Sequence, residues 1–152
     1  MKIGVPREIK VHEYRVGITP AGVQELVSQG HQLCIERAAG ERSGFSDDDY
    51  RAAGATIENK PDKIWRNSEL VVKVKEPQPQ EIPWLSPKQT LFTYLHLAAS
   101  KQLTLDLLAS GCTAIAYETV TDQNGKLPLL APMSEIAGRM AAQAGAHFLE
   151  IP

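Results

Sequence analysis

Short apolar runs alternate with separately capped helical segments along this chain, and that alternation restricts its fold more than any other feature. Runs at residues 2–5, 32–36, 70–74, 90–95 and 113–117 have the length and composition of strands. Helix signals bracket several of the intervals. Thr19 precedes Pro20, then Val23, Leu26 and Val27 form an apolar stripe, and Gly30 ends the segment. Ser46 precedes Asp47-Asp48-Asp49, whose charges suit a helix N-terminus, and Gly54 follows. Ser100 precedes residues 101–110, where Leu103, Leu107 and Leu108 are expected to face inward before Gly111. Strands alternating with helices predict an α/β fold with a mostly parallel open sheet flanked by helices, flavodoxin-like or Rossmann-like.

Two stretches depart from the alternation. Pro77, Pro79, Pro83 and Pro87 crowd the chain after the third run and predict a stiff surface loop. From residue 133 to 149, Met133, Ile136, Ala137, Met140, Ala141, Ala144 and Phe148 recur at helical spacing, with Pro132 at the start. This predicts a long C-terminal helix whose small residues let another backbone approach closely.

At 152 residues the chain is long enough for one domain with a real core. A formal net charge of −2 leaves no electrostatic footprint for nucleic acid or an anionic membrane. No apolar stretch reaches membrane-spanning length, and no export signal opens the chain, so a cytoplasmic protein is expected. Cys34 and Cys112 lack the spacing of a zinc site, and both are expected to be buried free thiols. His12, His31 and His147 show no paired spacing, and no metal site is expected.

In an open α/β sheet, ligands bind beyond the carboxyl ends of the strands. Arg15 follows the first strand, Lys75 ends the third, His96 follows the fourth and Glu118 the fifth. Each has a plain alternative. Arg15 suits a solvated loop, and Lys73 with Lys75 would also mark the exposed face of an edge strand. His96 would also serve as a hydrogen-bonded structural histidine, and Glu118 as a cap or loop acceptor.

The segment Lys2-Ile3-Gly4-Val5-Pro6-Arg7-Glu8-Ile9-Lys10, followed by Glu13-Tyr14-Arg15-Val16-Gly17-Ile18-Thr19-Pro20, resembles the start of alanine dehydrogenases. It is similar also to the related alpha subunit of proton-translocating transhydrogenase. The resemblance runs to about Glu150. It implies that Arg15 grips a substrate carboxylate, and that Lys75, in Val72-Lys73-Val74-Lys75-Glu76-Pro77, contacts the carboxylate and carbonyl end. It implies that His96, in Thr93-Tyr94-Leu95-His96-Leu97-Ala98, is the acid/base, with Tyr94 beside the substrate. By the same resemblance Met133 touches substrate and nicotinamide, and Ser134 lies in that cofactor-contacting segment. The Tyr-Leu-His sequence favours alanine dehydrogenase over transhydrogenase. The implied reaction is the reversible, NAD-dependent conversion of L-alanine and water to pyruvate and ammonium. Arginine keeps its charge at any working pH, and a histidine titrates near neutrality, as those roles require.

No Gly-x-Gly-x-x-Gly occurs, so no pyrophosphate turn is recognisable. The resemblance implies a longer chain carrying the dinucleotide-binding domain, either as a fragment's missing remainder or lost by natural truncation. Residues 1–130 are then a substrate-binding domain and 131–152 an interdomain helix. This chain alone is expected not to oxidise alanine. Its expected partners are a small-molecule substrate, L-alanine or pyruvate, and further copies of itself through the helix at 133–149. A non-catalytic interaction domain kept by that helix is the reading from another class.

Overall fold

Six parallel strands form one sheet in the order β3-β2-β1-β4-β5-β6, in a computed structural model that describes residues 1–150. They are β1 (Lys2–Val5), β2 (Gln32–Glu36), β3 (Thr56–Glu58), β4 (Leu70–Val72), β5 (Thr90–Thr93) and β6 (Thr113–Ala116). The helices are α1 (Pro20–Ser28), α2 (Asp47–Ala52), α3 (Pro61–Asn67), α4 (Lys101–Ser110) and α5 (Ala131–Leu149). The chain divides into two compact units, Met1–Ala116 and Tyr117–Pro152. The sheet belongs to the first. The second contains a short 3-10 turn, Tyr117–Thr119, and α5. Among the described residues no helix is long and apolar enough to cross a membrane.

The strand order reverses at β1. From β1 the chain steps outward to β2 and β3, then α3 carries it back across to β4 on the other side of β1. Right-handed crossovers therefore set α1 and α2 on one face and α3 and α4 on the other. The carboxyl ends of β1 and β4 meet at this reversal, where open α/β sheets form a crevice. One core lies under α3 and α4: Trp65, Val71, Leu91, Leu95, Leu103 and Leu107, all buried.

The predicted caps form. Thr19 accepts from the Gly22 amide, Ser100 from the Leu103 amide, and Ser46 with Asp49 makes a reciprocal capping box. Gly30, Gly54 and Gly111 all have positive φ, the backbone that glycine adopts without strain. Several expectations need correction. A sixth strand, β3, escaped the sequence because three residues with one apolar side chain carry no period. Leu108 is 74% exposed, since only Leu103 and Leu107 fall on the inward stripe of α4. Cys34 and Cys112 are free thiols, but both are half-buried rather than buried.

The largest correction concerns Lys73. It does not mark an exposed edge: β4 is central, and the Lys73 side chain is fully buried. Its ammonium lies 2.8 Å from Glu81 Oε1 and 3.5 Å from Glu8 Oε2, two carboxylates almost as buried. Nor is the proline-rich stretch only a surface loop. It folds inward to deliver Glu81, whose other oxygen accepts from the Gln78 amide at 2.7 Å. The same loop delivers Gln89, whose buried side-chain amide donates to the carbonyls of Trp65 and Ser68 at the end of α3.

Removing one member of a buried ion pair strands the other in a medium of low dielectric constant. Glu81→Ala is therefore expected to destabilise the first unit by about 3–5 kcal/mol. Replacing both charges, Lys73→Met with Glu81→Leu, should recover part of that loss. Urea unfolding of the three proteins measures both differences.

Candidate functional site

Beyond β1 the chain runs through a long loop, residues 6–19, that lies across the end of β4. Its first anchors are backbone and carboxylate contacts. The Arg7 amide donates to Glu36 Oε2 at 3.0 Å, and Glu8 Oε1 accepts from the amides of Val74 at 2.7 Å and Lys75 at 3.4 Å. Lys10 pairs with Glu76. Gly17 completes the seating, because a Cβ there would meet the Val72 carbonyl oxygen at 2.8 Å. Only glycine lets the loop approach the strand so closely.

The loop presents Arg15 on Glu13. Glu13 Oε1 accepts from Arg15 Nε at 2.9 Å, and Oε2 from Arg15 Nη2 at 2.7 Å. Glu13 Oε1 also accepts from the amides of Tyr14 and Arg15, at 3.0 and 2.9 Å. The Arg15 hydrogen bonds, with Lys75 also close enough to contribute, hold the Glu13 carboxyl down to about 2. Arg15 is held up in turn, chiefly by Glu13, with Tyr94 and Glu8 acting on it from farther off. A cleft of about 240 Å³ opens beside this pair, lined by Arg7, Glu8, Glu13, Tyr14, Arg15 and Arg42.

Lys75 stands just past the end of β4 and is held from two sides. Glu8 takes its amide, and Thr93 Oγ1 donates to its carbonyl at 2.8 Å. The Tyr94 amide donates to the Val74 carbonyl at 3.1 Å, tying the chain after β5 to the same place. Tyr94 is buried, and its ring stacks with that of His96, centroids 6.0 Å apart and planes at 14°. His96 is exposed with φ 49° and ψ 39°, a left-handed backbone uncommon outside glycine. That turn ends the strand direction abruptly and opens a short 3-10 helix at Leu97–Ala99. Burial pushes the nearby Glu76 carboxyl up, but its hydrogen bond from Lys10 and the smaller pulls beside it together outweigh that and hold it low.

Arg15, Lys75, Tyr94 and His96 thus come together at the carboxyl ends of β1, β4 and β5. Three other residues singled out in the sequence belong to the second unit. Glu118 sits in the Tyr117–Thr119 turn, and Met133 and Ser134 in the first turn of α5, where the Ser134 amide donates to the Leu130 carbonyl at 3.2 Å. Sequence reasoning missed Glu8, Glu13, Lys73 and Glu81, the carboxylates and ammonium that hold the cations in place. Only the Glu13-x-Arg15 spacing offered a signal, and in a charged loop it does not stand out.

Burial pushes the carboxyls of Glu8, Glu36 and Glu81 up, against the pull of Lys73. Glu13 is the opposite case. A carboxyl held low stabilises the fold fully above its ordinary value, about 4.3, and loses that contribution as pH falls toward 2. Glu13→Gln is therefore expected to flatten the loss of thermal stability between about pH 5 and pH 2. Calorimetric melts of parent and variant across that range measure it.

Residues 4–137 match the family model described as alanine dehydrogenase/PNT, N-terminal domain. The alanine dehydrogenase of Halomonas elongata is 62% identical over 150 residues, 99% of this chain and 40% of that protein. That of Bacillus subtilis is 54% identical over 152 residues, 100% of this chain and again 40% of the relative. A solved L-alanine dehydrogenase superposes with a TM-score of 0.91 at 54% identity, over 99% of this chain and 41% of that one. A transhydrogenase from Sinorhizobium meliloti superposes at 0.74 with 22% identity, over 81% of this chain and 35% of that one, a likeness of fold. The chain spans about 40% of the length of the curated relatives it matches.

Proposed function

The chain belongs to the alanine dehydrogenase/PNT N-terminal domain family, and from that premise we propose that it is the substrate-binding part of an NAD-dependent alanine dehydrogenase. The whole protein would convert L-alanine and water to pyruvate and ammonium, reversibly, in the cytoplasm. Residues 1–130 would form the substrate domain, and α5 a subunit contact. The observation that carries this reading is the gathering of Arg15, Lys75, Tyr94 and His96 at the reversal of strand order.

Arg15 and Lys75 are two cations, and Glu13 is the anion paired with the first. Glu13 fixes the Arg15 guanidinium by a two-point contact and offsets its charge, so Lys75 leaves the group with a positive surplus. That surplus suits a monoanionic carboxylate. Arginine offers the carboxylate a flat fork of donors, and lysine a compact charge for a carbonyl oxygen that gains electron density. His96, exposed and following a strand that Tyr94 anchors, would take a proton as water adds to the imine carbon and return it as ammonia leaves.

NAD supplies the hydride acceptor in the family reaction. The first strand-to-helix connection of this chain does not fit its pyrophosphate. It is a long loop carrying the Glu8 and Glu13 carboxylates, and α1 begins with Pro20, which offers no amide. Met133 and Ser134 would touch the nicotinamide, but no phosphate cradle accompanies them in α5.

Pyruvate titrated into the 152-residue protein in a calorimeter tests the reading. Binding is expected, and Arg15→Ala should weaken it by about 2–4 kcal/mol, as loss of a charge-assisted contact does. Equal affinity in parent and variant would remove Arg15 from the site.

A further inference from the structure

Glu8 carries no role in the family reading, yet its enclosed side chain joins two parts of the site that are far apart in the sequence. β4 ends its ladder at Val72, and β1 pairs with it only through Ile3 and Gly4. The amides of Val74 and Lys75 therefore lie beyond the reach of a neighbouring strand on the β1 side. Glu8 Oε1 accepts from both, at 2.7 and 3.4 Å. Its other oxygen is buried without a hydrogen-bond partner and faces the Lys73 ammonium at 3.5 Å. One side chain from the loop that carries Arg15 thus grips the backbone that carries Lys75.

We infer that Glu8 is a positioning residue for the carboxylate site, holding Lys75 at a fixed distance from Arg15 through the Val74 and Lys75 amides. The inference rests on the reading of Arg15 and Lys75 as the ligands of a substrate carboxylate. The grip works by reach, because the oxygen must extend from the loop to two amides. Charge is a separate matter: the Lys73 ammonium has a second carboxylate partner, Glu81, at 2.8 Å. Thr93 holds the Lys75 carbonyl, so with the amide released Lys75 would keep one tether and lose the one that relates it to Arg15.

Two substitutions separate reach from charge. Glu8→Asp keeps the anion beside Lys73 but withdraws the oxygen by one methylene, and Glu8→Gln keeps the reach and removes the charge. Calorimetric pyruvate titration of the 152-residue protein should show a loss of at least tenfold for Glu8→Asp and less than threefold for Glu8→Gln. In a Lys75→Met background Glu8→Asp should change affinity less than twofold, since nothing remains to be oriented. Amide hydrogen exchange provides a readout independent of ligand. In Glu8→Asp the Val74 and Lys75 amides should exchange at least tenfold faster while Val71, inside the ladder, is unchanged. Unchanged exchange at Val74 and Lys75 overturns the inference, as does the reverse order of Asp and Gln, or an equal loss with and without Lys75. A parent that binds no pyruvate refutes the substrate reading instead, and the exchange measurement then judges the grip of Glu8 alone.

Discussion

The Lys73 ammonium, fully buried between Glu8 and Glu81, is the interaction on which the working end of the first unit depends. A buried charge is tolerated only with partners in close geometry, and these partners come from two different loops. Glu8 belongs to the long connection after β1, and Glu81 to the proline-rich connection after β4. Each loop is thereby pinned to the strand end between them. The proline content of the second loop lowers the entropy of ordering it, which helps a loop with one short 3-10 turn carry a buried carboxylate. The indole of Trp65 lies under the same ammonium at 5.7 Å, joining the polar cluster to the apolar core beneath α3 and α4.

Outward from that cluster, the site is built of carboxylates that arrange cations. Glu13 orients Arg15 and fixes its own loop through two backbone amides, while Glu8 joins the loop to the backbone of Lys75. Such pairing lowers the conformational entropy left to be lost when a ligand binds, and binding then keeps more of its contact energy. It also limits the net charge at the mouth of the sheet. Unpaired, Arg15 and Lys75 would repel one another and attract any anion. Glu13 offsets one of these two charges by its two-point contact with Arg15.

The sequence by itself determined the class of the fold and the ends of most helices. Period, length and capping chemistry are local properties, and Thr19, Ser46 and Ser100 cap where their neighbours say they should. It determined also which residues stand at strand ends, because a strand followed by a capped helix leaves its last residues at one rim. Arg15, Lys75 and His96 were legible for that reason, and the motifs around them placed the chain in its family.

Only the tertiary structure decided what those residues are held by. Glu8 and Val74 are 66 residues apart, and nothing local marks a loop glutamate as the acceptor for a strand's last amides. Lys73 shows the same limit from the other side. Alternation with valine reads as an exposed edge when the position of β4 in the sheet is unknown. At the centre of the sheet the same lysine is enclosed from every direction, and two distant carboxylates must come to it. Burial depends on which strands become neighbours, and that is a property of the whole chain.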